Sequence, residues 1–161
     1  MNGVDHLRSL YAYHFDITLR LVASAENLSE PQLAQQPEAG RRSIRDLLYH
    51  ILDADRGWRM GLETGRRPER LRREEYLALA TLRRAFEQER AAWQELLAGL
   101  DEWQIDEEIE LQAGPGRVFR FPWWKVLHHV VLHGMQHHAE IAEQLTRAGA
   151  SPGDIDFIFY G

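Results

Sequence analysis

Four stretches of this chain carry apolar residues at the three- and four-residue spacing of a one-sided α-helix, and each is long enough to need a partner face. The first runs from Val4 to about Leu28, with Leu7, Leu10, Tyr11, Ile17, Leu21, Ala25 and Leu28 on one stripe. LSEPQLAQQPEAG, with two prolines and a glycine, then breaks the pattern. Ser43 is a suitable N-cap for the second helix, Ile44 to about Leu62, whose stripe is Ile44, Leu47, Leu48, Ile51, Trp58 and Leu62. The third runs from about Arg73 to Leu100, with Tyr76, Leu79, Leu82, Phe86, Trp93 and Leu97 on one side. The fourth begins near Pro122, a good first-turn residue, and ends near Gly149. Four such helices in 161 residues predict one all-α domain over residues 1–161, built as a four-helix bundle.

Between the third and fourth helices, IDEEIELQAGPGRVFRF sets Gly-Pro-Gly between two β-prone runs, which predicts a small hairpin or irregular segment. The tail SPGDIDFIFYG is apolar at its end and is expected to pack on the bundle or against another subunit. The lengths of the connections leave the order of helices in the bundle open.

Charge and composition narrow the function. The net charge of -6 offers no basic patch, which argues against nucleic acid as a partner. The chain has no cysteine, so disulfides, Cys-based metal sites and a protein thiolate are excluded. MNGVDHLRSLYAYHF lacks the pattern of a signal peptide, and no apolar run approaches the ~18 residues of a membrane span. The expected location is the cytoplasm, with no membrane partner.

Against that background the histidines stand out. Five of the eight lie between positions 128 and 138, inside the fourth helix. At ~100° per residue, Val126, Leu127, Val130, Gly134, Ile141 and Leu145 share the buried face. His137 falls inside that stripe, His133 at its edge, His129 nearer the rim, His138 at the other shoulder and His128 on the far side. His133 and His137 therefore form an i, i+4 pair directed into the bundle, a spacing at which two imidazoles can hold one metal ion. Gly134 rules out the HExxH metalloprotease motif, and no Glu-x-x-His of the di-iron bundles is present.

A third ligand must come from elsewhere. His50 lies on a second-helix seam of Ser43, Leu47, His50, Ala54, Gly57 and Gly61, whose small residues would let another helix come close. His14 is its rival, at the centre of the first helix's stripe, where a core histidine bonded to a carbonyl or carboxylate is the plainer reading. Asp55 also lies within an apolar stripe and needs a partner, an arginine or a histidine; it could orient a metal ligand from behind. Trp58, Trp123, Trp124, Phe119 and Phe121 could line the mouth of such a site, but read first as core or dimer contacts.

SIRDLLYHILDADRGW (43–58) and HHVVLHGMQHHAEIAEQLTRAG (128–149), with the tail, resemble the DinB/YfiT-like superfamily of metal-binding bundles. The resemblance covers nearly the whole chain. It implies an up-down-down-up bundle, often a homodimer, in which one histidine of helix two and an HxxxH pair of helix four bind a divalent metal; here these are His50, His133 and His137. The family often has HHRGQ where this chain has HHAEI. Glu140 then reads as a solvated helix charge, or as a group behind His137 in place of the glutamine. The family's activities include thiol-dependent S-transfer, with related isomerases, and metal-dependent hydrolysis.

Three imidazoles on Zn²⁺ or Ni²⁺ leave an open position, where a water or thiol loses its proton near neutral pH. With no cysteine in the chain, a thiolate would have to come from a low-molecular-weight thiol. The expectation is a metal-dependent enzyme acting on a small-molecule substrate, with thiol transfer favoured. The alternatives are hydrolysis by metal-activated water and a non-catalytic, metal-stabilised dimeric bundle. A fourth protein ligand such as His14 would favour the last.

Overall fold

The computed structural model describes residues 3–160. Its long helices are α1 (Gly3–Ala25), α3 (Ile44–Thr64), α4 (Leu79–Ala98) and α5 (Trp123–Arg147). A short helix, α2 (Glu30–Ala34), and an antiparallel hairpin of β1 (Glu108–Gln112) and β2 (Val118–Pro122) complete the regular structure. The all-α bundle with a small hairpin before the last helix is as the apolar stripes require.

Helix directions follow from side-chain pairs. Arg8 bonds the Leu97 carbonyl, Asp16 pairs with Arg90, and Glu26 with Arg83, so α1 and α4 are antiparallel. Tyr11 donates to the Leu127 carbonyl while Thr18 meets His138, so α1 and α5 run the same way. His50 faces His133 and Trp58 faces His129, so α3 and α5 are antiparallel. After α3 the chain doubles back along it. Leu71 N–H donates to Asp53, the Tyr49 hydroxyl donates to the Leu71 carbonyl, and Arg73 reaches Asp46. α4 therefore starts beside the start of α3 and runs parallel to it, which makes the order up-down-down-up. Around the bundle the sequence of neighbours is α1, α4, α3, α5, with α1 diagonal to α3.

The core is made by the residues that the stripes name. Leu7, Tyr11, Leu21, Leu47, Leu48, Ile51, Leu82, Phe86, Trp93, Leu97, Val126, Val130, Ile141 and Leu145 are all buried. Each such side chain contributes roughly 1.5–3 kcal/mol by leaving water.

Several boundaries differ from the periodic reading. α1 ends at Ala25, and Ser29–Ala34 forms a capped turn of its own; Ser29 and Gln32 close a capping box with Pro31 in its first turn. Arg73–Tyr76 is a 3₁₀ turn, and α4 begins only at Leu79. Tyr76 and Leu79 still pack on the core, so the stripe there reports burial rather than helix. Ser43 does cap α3, accepting the Asp46 N–H at 3.2 Å. Pro122 is the last strand residue and the N-cap of α5 rather than its first turn.

The small residues of the α3 seam admit something other than a helix. A Cβ at Gly57 would lie 3.0 Å from the Arg67 guanidinium, and one at Gly61 3.1 Å from Leu111. They are dents into which the returning loop and the hairpin fit. The tail packs along α1, with the Tyr13 hydroxyl donating to the Ile155 carbonyl at 2.5 Å and Tyr160 bonding Asp16. Phe157, Ile158 and Phe159 remain exposed. No helix among the described residues is long and apolar enough to cross a membrane.

Candidate metal centre

α3 delivers His50 and α5 delivers His133 and His137 to one point. One nitrogen of each ring lies within 4.8 Å of the other two, and no other such group of three His, Cys, Asp or Glu occurs among the described residues. His133 Nε2 is 3.1 Å from His50 Nε2 and 3.2 Å from His137 Nε2. The rings meet near right angles, at 70° to 84°. Nitrogens that share an ion at ~2.0–2.1 Å stand ~2.9–3.4 Å apart for angles between octahedral and tetrahedral. Both close separations fall in that interval. Neutral rings that turn their lone-pair nitrogens toward one point can share a cation there, each keeping its N–H on the other nitrogen. The donor set fits a divalent ion.

Burial keeps these rings neutral, the form that binds metal. Desolvation, with Arg42 nearby, lowers His50 to about 4. Desolvation, then the imidazoles of His137 and His50, lowers His133 to about 3. His137 is lowered too, chiefly by burial, although Glu140 opposes the shift. Glu140 Oε1 is 3.5 Å from His137 Nδ1, so its carboxylate faces the back of that ring instead of standing clear in solvent.

The other candidates fall elsewhere. His14 Nε2–H donates to Asp55 Oδ2 at 2.8 Å, in the bundle interior. They partner each other and line no part of the cavity beside the three histidines. His138 is wholly buried. Because the Thr18 hydroxyl donates to the His14 carbonyl, His138 Nε2–H donates to Thr18 Oγ1, also at 2.8 Å. The sequence offered no signal for this pairing, since helical periodicity carries no register between helices. His129 is exposed and lies between Trp58, at 5.0 Å, and His133, at 5.7 Å. His128 is on the outer face, its Nδ1–H bonded to the Trp124 carbonyl.

His50 and His133 open onto a cavity of about 700 Å³. Trp58 and His129 form one wall, and Arg67 and Arg70 of the returning loop another. Arg117 and Phe119 face them from the hairpin. Of the five aromatic residues considered for the mouth, Trp58 and Phe119 line this space; Trp123 and Phe121 pack on the core, and Trp124 is exposed.

Residues 17–141 match the family model of the DinB superfamily. No curated protein matches the chain significantly. Several solved structures share the fold, among them three DinB- or YfiT-type proteins. A DinB-like protein of Bacillus cereus is 14% identical, with a TM-score of 0.71 over 90% of this chain and 92% of that one. The DinB-like protein YjoA of Bacillus subtilis is 18% identical, with a TM-score of 0.68 over 89% and 92%. YfiT of Bacillus subtilis is 16% identical, with a TM-score of 0.66 over 92% and 90%; it is described as a probable metal-dependent hydrolase with an unusual four-helix bundle topology.

Proposed function

The chain belongs to the DinB superfamily, and from that premise we propose that it is a metal-dependent enzyme acting on a small molecule, with His50, His133 and His137 as metal ligands. The observation that carries the proposal is the convergence of three imidazole nitrogens beside an open cavity of about 700 Å³. A divalent ion held there, zinc or nickel, supplies Lewis acidity and lets a water or thiol lose its proton near neutral pH. The chain's own part is to keep the three rings neutral by burial and to present them on one side only. Glu140 steadies His137 from behind, and Trp58 and Phe119 shelter the reactants from bulk water. His14 is committed to Asp55, so it does not close the centre as a fourth ligand, which favours a catalytic over a purely structural ion.

Thiol transfer to a small electrophile is the favoured reaction. The absence of cysteine requires an external thiol, and the cavity has room for two small reactants. Hydrolysis is the second reading, supported by the description of YfiT. The reading includes a cytoplasmic homodimer, whose assembly light scattering checks. Elemental analysis of the protein beside His50→Ala tests the centre: near one equivalent of metal, lost in the variant, is expected. The loaded protein is then offered an aryl halide with a panel of low-molecular-weight thiols, and separately aryl esters without thiol. Turnover only with a thiol supports transfer. Turnover of the esters alone supports hydrolysis.

A further inference from the structure

Arg67 differs from most arginines of this chain in what it does with its guanidinium. Arg59 is held by Glu89 and Glu63, and Arg83 by Glu26. Arg70, at the same cavity, is 3.4 Å from Asp53. Arg67 stacks on Trp58, 4.6 Å from the ring centroid, and among the described residues no carboxylate lies within ion-pair distance of it.

Its position is built in. Arg67 N–H donates to the Gln112 carbonyl at 3.1 Å, and Gln112 N–H donates to the Gly65 carbonyl at 2.8 Å, which ties the loop to the hairpin. Gly57 leaves the space that the guanidinium occupies over α3. Trp58 is itself braced edge-on by His129. The side chain is therefore stacked on Trp58 and seated over Gly57 beside the cavity, and among the described residues its N–H groups have no hydrogen-bond acceptor.

The charge around it points the same way. Arg67, Arg70 and Arg117 line the cavity against only Asp53 and Glu69. Asp53 is already engaged, by Arg70 and by the Leu71 N–H at 2.9 Å. In a chain of net charge -6, this is a local reversal of sign beside the candidate metal centre. A planar guanidinium held by stacking is a fork for two oxygens of one carboxylate or phosphate.

We infer that the cavity takes an organic anion whose carboxylate or phosphate group is gripped by Arg67 while its other end faces the three histidines. This assigns a substrate class to the reading above and rests on it.

The test uses benzoate, phenyl phosphate and the neutral benzyl alcohol, titrated by NMR into the metal-free and zinc-loaded protein. Arg67→Gln is compared with Arg84→Gln, an exposed arginine on α4 away from the cavity. The expected result is that at least one anion binds tenfold or more tightly than benzyl alcohol in both metal states. Arg67→Gln removes that advantage, and Arg84→Gln does not. The anion that binds better tells a carboxylate substrate from a phosphate. No binding of either anion, equal binding of the alcohol, or identical behaviour of the two variants overturns the inference. Zinc content is read on the same samples. Arg67-dependent binding without zinc uptake overturns only the histidine centre; zinc uptake without Arg67-dependent binding overturns only the anion site.

Discussion

His14 of α1 and Asp55 of α3 bond across the diagonal of the bundle at 2.8 Å, with neither side chain more than 1% exposed. Burial pushes the Asp55 carboxyl up, and His14 opposes that shift. Removing one partner leaves the other buried without a bond. Asp55→Ala is expected to cost about 3 kcal/mol in urea unfolding. The double variant His14→Leu with Asp55→Leu should cost clearly less than the two single leucine variants added together. Strict additivity would show that the two residues act independently.

Gly134 is where α5 makes room for His14. A Cβ there would lie 2.2 Å from His14 Cε1 and 2.4 Å from Nδ1. Both rows of packing would have to shift, so Gly134→Ala is expected to lose about 1–3 kcal/mol despite the better helix propensity of alanine. Thermal unfolding checks this; a rise in melting temperature contradicts the close approach.

His133→Ala and His137→Ala are each expected to abolish stoichiometric metal binding, since two remaining imidazoles hold an ion poorly. Glu140→Gln keeps the size but removes the charge that faces His137 Nδ1, and should weaken metal affinity about tenfold or more. Competition with a chromophoric chelator measures both effects. An unchanged affinity in Glu140→Gln would return that residue to the role of a solvated charge.

The pH dependence of the metal-free protein has a fixed sign. His50 and His133 titrate at about 4 and about 3 when folded, against ~6.5 when unfolded. Between ~6.5 and those values the unfolded chain takes up protons that the folded chain does not. Their contribution to stability is therefore whole above ~6.5 and falls as pH drops toward about 3. Melting temperature should decline across that window, and decline less in His50→Ala. At pH 7 the rings are already neutral, so metal binding should release few protons from them. Calorimetry in buffers of different ionisation enthalpy reads this directly.

The helices and core were legible because burial on one face imposes a period that the chain displays openly. The i, i+4 pair of His133 and His137 was legible for the same reason. What faces what across the bundle was not. His50 and His14 were rivals by pattern, with a core role the plainer reading for His14, and only the register between α1, α3 and α5 separates the residue beside the pair from the one bonded to Asp55. Arg67 opens the mixed-charge run RPERLRREEY, which reads from sequence as a solvated linker or helix start and not as a phosphate-binding strip; only the fold sets it on Trp58 beside the cavity. Gly57 and Gly61 announced a close approach but not its occupant. The 3₁₀ turn at Arg73–Tyr76 escaped notice because its apolar residues still face the core.

The loop that doubles back along α3 also divides the cavity by origin. The histidines come from helices whose places are set by the packed interior, whereas Arg67, Arg70, Arg117 and Phe119 come from segments laid over it. Substitutions in the overlay reach the occupant of the cavity while hardly disturbing the interior. A scaffold arranged this way can change its clientele without renegotiating its fold, which makes residues 65–72 and 113–119 the natural ground for redirecting selectivity.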